Sequence, residues 1–142
     1  MRDTDFAAEG LIDEAWEADG AAKQSSLALR ALNLNPDLID GYVILGLALP
    51  TDIERMAALR EGVRRGKIIW ADEIKRPAQS HFWLDIDTRP FMRACFNLAS
   101  LLSQNDERTE AVELANLLCR LNRNDNQGAR YLLVAWLPVL GD

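Results

Sequence analysis

Residues 31–37 read Ala-Leu-Asn-Leu-Asn-Pro-Asp, and residues 118–125 read Leu-Cys-Arg-Leu-Asn-Arg-Asn-Asp. Each stretch closes one amphipathic run and opens another. Asn35 precedes a proline, which drives it out of the helical region, so the helix before it ends there. Leu34-Asn35-Pro36-Asp37 therefore marks the boundary between one helical hairpin and the next. Its near-recurrence at Leu121-Asn122-Arg123-Asn124 predicts a chain assembled from repeated hairpins, each burying its apolar face against its neighbours.

Outward from these boundaries, apolar residues recur at intervals of three and four, the period of an amphipathic helix, and no stretch alternates as a strand would. The expected fold class is all-α. A first helix over 5–18 places Phe6, Leu11, Ala15 and Ala18 on one face, with Asp3, Thr4 or Asp5 available as its cap. Asp19-Gly20 forms a turn. A second helix over 21–33 buries Leu27, Ala31 and Leu34. A third, over 38–49, uses Tyr42, Leu45 and Ala48 or Leu49. Pro50-Thr51-Asp52 breaks it, and Thr51 or Asp52 caps a fourth helix that carries Ile53, Met56, Leu59 and Val63 and stops at Gly66.

Residues 67–90 lose the period. Lys67-Ile68-Ile69-Trp70 either continues or restarts a helix, Pro77 and Pro90 punctuate the rest, and His81-Phe82-Trp83 sits in the middle. The helical pattern returns over 91–103 with Cys95, Leu98, Ala99 and Leu102, turns at Asn105-Asp106, and continues over 107–122 with Ala111, Leu114 or Ala115, Leu118 and Leu121. A last helix runs from 125 or 126 to about 140.

The register ties these pieces together. Leu11 and Leu45 are 34 positions apart, each central to the first helix of a hairpin, and Leu98 and Leu133 are 35 apart in the same role. Leu45 and Leu98 are 53 apart, one period plus about 19 residues. That surplus falls in the aperiodic stretch.

With Tyr42-x-x-Leu45-Gly46, Leu98-Ala99, Ala111 and Ala31-Leu32-x-Leu34-x-Pro36, the chain resembles the tetratricopeptide repeat (TPR) superfamily. The second half resembles a group of bacterial TPR-like proteins. The residues that carry this are His81-Phe82-Trp83, Thr88-Arg89-Pro90-Phe91-Met92-Arg93-Ala94, and the run from Leu121 to Leu133. The resemblance implies a right-handed α-α superhelix in one domain. Its units cover about 5–37, 38–66 and 91–125, a half unit covers 126–142, and an aromatic insertion covers 67–90. Gln24, Ala28 and Arg123 depart from the pattern. The resemblance implies a scaffold or adaptor that binds a peptide or protein through its concave groove, and it implies no activity.

Composition agrees with such a module. The 142 residues fit one domain, and 49% hydrophobic residues suffice for a core. The formal net charge of −6 argues against nucleic acid as a partner. No apolar run is long enough to span a bilayer, and Met1-Arg2-Asp3-Thr4-Asp5 lacks the order of a signal peptide. Cys95 and Cys119 have no CxxC spacing and are expected as reduced, buried thiols in a cytoplasmic protein.

The candidates for chemistry are few. His81, Asp85 and Asp87 offer an imidazole and carboxylates for a metal, as an enzyme accessory domain would use. Alternatively, the aromatic cluster docks the insertion and the aspartates face solvent. Cys95 with His81 as base would make a nucleophile, but Cys95 lies on the apolar face beside Leu98 and Leu102, as a packed thiol does. No GxSxG, GxGxxG, P-loop or HExxH pattern occurs. The expectation is no enzyme, no cofactor and no metal. Arg60-Glu61, Arg64-Arg65 and Lys67 read as a solvated helix face.

The candidate partner-binding residues are Arg93, Phe96, Arg130, Tyr131 and Trp136. Arg93 and Arg130, with Arg89 beside them, either clamp a carboxylate in the groove or pair with Asp85, Asp87, Asp125 or Glu113. The last helix, Tyr131 to Leu137, is apolar nearly all round. Its Trp136 surface either serves partner docking or self-association, as in a homodimer or a structural dimerisation module, or is covered by the insertion.

Overall fold

The computed structural model describes residues 3–76, Phe82 and 85–122, with side chains from Asp5 onward. Those residues are all-helical. The helices are α1 (Asp3–Glu17), α2 (Ala21–Leu34), α3 (Ile39–Ala48), α4 (Asp52–Ile69), α5 (Ala71–Lys75), α6 (Arg89–Gln104) and α7 (Arg108–Leu121), with a 3₁₀ turn at Ile86–Thr88 before α6. Consecutive helices pair as hairpins, α1 with α2, α3 with α4 and α6 with α7. Each hairpin packs on the next through α2 against α3, then through α3 and α4 against α6.

The two repeated boundaries have the same geometry. α2 ends at Leu34 and Asn35 turns extended (φ −147°, ψ 96°), its N–H closing on the Ala31 carbonyl. α7 ends at Leu121 and Asn122 does the same (φ −131°, ψ 84°), its N–H closing on Leu118. At the first boundary the Asn35 side chain also accepts from the Asp37 N–H at 3.1 Å, and the Tyr42 hydroxyl donates to the Pro36 carbonyl at 2.7 Å. The side-chain bond is the local turn that asparagine offers in place of helix.

Two apolar clusters form the core. One joins α1, α2 and α3 through Ile12, Ala15, Leu27, Ala28, Ala31, Ile44 and Leu45. The other joins α3, α4, α6, α7 and Phe82. α3 supplies residues to both, Ile44 and Leu45 to the first and Ile39 and Val43 to the second. A helix packed on two sides needs apolar residues on two sides, which is why α3 reads apolar nearly all round. Glycines let it approach α4 closely: a Cβ on Gly46 would run into Leu59, and one on Gly62 would come within 2.8 Å of the Tyr42 Cβ. Gly20, at φ 91°, makes the α1–α2 turn.

Several expected faces shift. Phe6, Leu34 and Ile53 are exposed, whereas Ala8, Ile12 and Ala28 are buried in addition to the expected Ala15, Leu27 and Ala31. The apolar period fits either phase in α1, and the smaller residues Ala8 and Ala15 allow the closer approach to α2. α4 passes through Gly66 to Ile69, because Gly66 is buried where Phe91 crosses it and needs no break. α6 begins at Arg89, so Pro90 lies inside its first turn, where no N–H partner is lost. Thr51 caps α4 as expected, accepting from the Glu54 N–H at 3.2 Å. The last helix, the half unit and the expected Leu133 register position lie outside the described residues.

Among the described residues of the aperiodic segment, Phe82 joins the core and Trp70 and Ile74 pack against it. Phe82 is fully buried and meets Trp70 and Phe91 edge-on, each at a centroid distance of 6.0 Å. Thr88, also buried, places its hydroxyl against the carbonyls of Phe82 and Asp85. Aromatic contacts need no helical period, so periodicity had no means of showing them.

Candidate interaction grooves

Two grooves flank the docked segment, and it supplies a wall to each. The first, about 430 Å³, runs between α1, α3 and the start of α6. Its floor is Ile12, Ile39, Trp70 and Pro90, and its rim carries Glu9, Asp13, Asp37, Asp40 and Asp87 against one cation, Arg93. Helical spacing sets part of this rim, since Glu9 and Asp13 are one turn apart on α1. Arg93 donates to Asp40 in bidentate fashion, Nε to Oδ1 at 3.1 Å and Nη2 to Oδ2 at 2.9 Å. Asp37 pairs with Arg65 at 3.0 Å. Among the described residues no cation pairs with Glu9, Asp13 or Asp87, so the groove presents net negative charge.

The second groove, about 650 Å³, lies between α4, α5 and α7 with Leu98 of α6 at its base. Val63, Ile74, Leu114 and Leu117 continue that floor. Its rim holds Arg60, Arg64, Lys67, Lys75 and Arg120 against Glu110 and Glu113. Arg60 ties α4 to α7 across the groove, donating to both Glu110 oxygens at 3.2 and 2.9 Å. Arg64 pairs with Glu61 outside the lining, at 2.6 Å. The hydrogen bond from Arg64, with a second from Arg65, holds the Glu61 carboxyl down at about 2. Among the described residues no ion pair engages Lys67, Lys75 or Arg120.

The sequence distributes its charge in the same way. Residues 1–40 contain nine acidic and three basic residues and so carry the whole formal charge of −6, whereas residues 41–142 contain thirteen of each.

Of the expected site residues, Arg93 lies in the acidic groove but is held by Asp40. That partner comes from α3 of the preceding hairpin, and it was not among the carboxylates that the sequence suggested. Phe96 is half-buried and packs against the larger core cluster. Arg130, Tyr131 and Trp136 lie outside the described residues. So does His81, and with it the imidazole of any metal site; Asp85 and Asp87 are exposed. Among the described residues no cluster of three or more metal-ligating side chains occurs. Cys95 is fully buried, and desolvation pushes its thiol up to about 12 against a small opposing effect of Lys67. A thiol so placed carries almost no thiolate at neutral pH. No described helix is long and apolar enough to cross a membrane.

Sequence reasoning missed the acidic groove because its rim comes from three separate stretches of chain, residues 9–13, 37–40 and 87–93. The signal that finds it is the charge imbalance of residues 1–40. Comparison with family models, curated proteins and solved structures finds no match to this chain.

Proposed function

We propose that the hairpins wind as a right-handed, TPR-like superhelix and that the protein is an interaction scaffold, binding a basic, partly apolar segment of a protein partner in the α1/α3/α6 groove. The observation that carries this reading is the combination of an apolar floor with three carboxylates, Glu9, Asp13 and Asp87, that no described cation neutralises. Carboxylates on an exposed rim select for cationic side chains and speed their encounter, while the floor supplies the area that holds them. Capture of a carboxylate by Arg93 would have to displace Asp40 and work against the surrounding negative rim.

The test is fluorescence anisotropy with two labelled peptides of equal length, one of Lys and Leu and one of Glu and Leu. The Lys peptide should bind, more weakly as salt rises, and the Glu9→Lys, Asp13→Lys double variant should weaken it at least tenfold. A control reversal of equal charge at Asp72 and Glu73, outside the groove, should change binding far less. Equal loss in both variants would reduce the effect to net charge and remove the groove from the account.

A further inference from the structure

The acidic groove accounts for neither the second groove nor the outer face of α1. That helix contains Asp3, Asp5, Glu9, Asp13, Glu14 and Glu17 and no cation. Its core stripe is Ala8, Ile12 and Ala15. At 100° per residue, Phe6 and Glu17 fall on the opposite side, whereas Trp16 borders the core stripe beside Ile12. Phe6 is 73% exposed and Trp16 is 41% exposed. α1 therefore presents an acidic outer ridge with one exposed aromatic ring on it, Phe6. The groove between α4, α5 and α7 is the complement, an apolar floor under three cations that lack ion pairs among the described residues.

We propose that this groove receives α1 of a second copy of the chain, joining copies head to tail. Charge complementarity, and the match of the exposed Phe6 ring to the apolar floor, carry the proposal. The Arg60–Glu110 tie sets the distance between α4 and α7 before docking, so little ordering is required on the receiving side. Ridge and groove are different surfaces, so the contact is heterologous. Each docked pair leaves one ridge and one groove open, and assembly grows with concentration. Because rim cations and ridge carboxylates are exposed, salt screens the contact.

Light scattering coupled to size exclusion tests this on the full chain. At low salt the mass should rise with concentration above the 15.9 kDa of one chain and fall back at high salt. A head variant, Phe6→Ser with Glu17→Lys, and a groove variant, Lys67→Glu with Arg120→Glu, should each stay at one-chain mass. All four positions are exposed, and circular dichroism should show unchanged helicity. Neither head residue lines the acidic groove, so peptide binding there should survive in the head variant. Mixing the two variants leaves one good ridge and one good groove and should yield a dimer that grows no further. A wild type that stays at one-chain mass at every concentration, an oligomer indifferent to both variants, or a mixture that fails to pair would overturn the proposal.

Discussion

The acidic and the basic groove have floors of the same kind and rims of opposite sign. Ile12, Ile39 and Trp70 floor one; Val63, Ile74 and Leu117 floor the other. Stacked amphipathic helices leave apolar clefts wherever two of them diverge, so the floors follow from the stacking of the hairpins. The rims follow from which helices diverge. On one side they are α1 and the start of α3, whose Asp37 and Asp40 belong with α1 to the chain's acidic first forty residues. On the other they are α4, α5 and α7, from the balanced remainder, where Arg60 takes up Glu110 and, among the described residues, no ion pair engages Lys67, Lys75 or Arg120. One wall is common to both. Ile69, Trp70 and Asp87 face the acidic groove while Ala71, Ile74 and Lys75 face the basic one. The aperiodic segment is thus the partition between two surfaces of opposite charge.

The strongest way to break that contrast is to remove the ring that fixes the partition. Phe82→Ala deletes a fully buried side chain held between Trp70 and Phe91. The expected cost is about 3–5 kcal/mol in urea unfolding. Both peptide binding in the acidic groove and self-association through the basic one should weaken together in variants still folded. If one survives intact, the segment does not partition the grooves.

A smaller effect is expected where α3, on the acidic side, meets α4, on the basic side. Gly46→Val places a branched side chain where Leu59, fully buried, cannot give way, and should lose about 1–3 kcal/mol. Gly10→Ala on α1 has open space around its new Cβ and should gain about 0.5–1 kcal/mol through reduced chain entropy and better helix propensity. Opposite signs from two helical glycines would show that close approach, rather than helix propensity, governs the α3–α4 contact.

The smallest effect sharpens the electrostatics of the basic side. Glu61 is held at about 2, below its ordinary 4.5, chiefly by its hydrogen bond from Arg64, with Arg65 adding to it and burial opposing. A carboxyl depressed on folding stabilises the folded state above its unfolded pKa. That contribution declines as pH falls below about 4.5 and is gone below the folded value near 2. The pair is largely exposed, so the contribution is small. A carboxyl-carbon NMR titration should find Glu61 still ionised at pH 3.5, a pH at which an unperturbed glutamate is mostly protonated. A midpoint above 4 would contradict the Arg64 contact.

The sequence by itself determined the all-helical class, the helix ends at Asn35 and Asn122, a cap for α4 at Thr51 or Asp52 and most of the buried positions. Each depends on neighbours a few residues away: a proline after Asn35, a recurring Leu-Asn at Leu121-Asn122, a threonine or aspartate just after Pro50, apolar residues one turn apart. It also contained the charge imbalance of residues 1–40. Only the tertiary structure decided the rest. Phe6 and Ile53 fit an apolar period yet face outward, because the phase of a helix is chosen by what packs against it. Arg93 found Asp40, fifty-three positions away and on another hairpin, because α6 lies on α3. Phe82 found Trp70 and Phe91 through edge contacts that have no period. Both grooves exist only where helices from different hairpins diverge, and the sign of each rim is set by which segments of the chain the packing brings there.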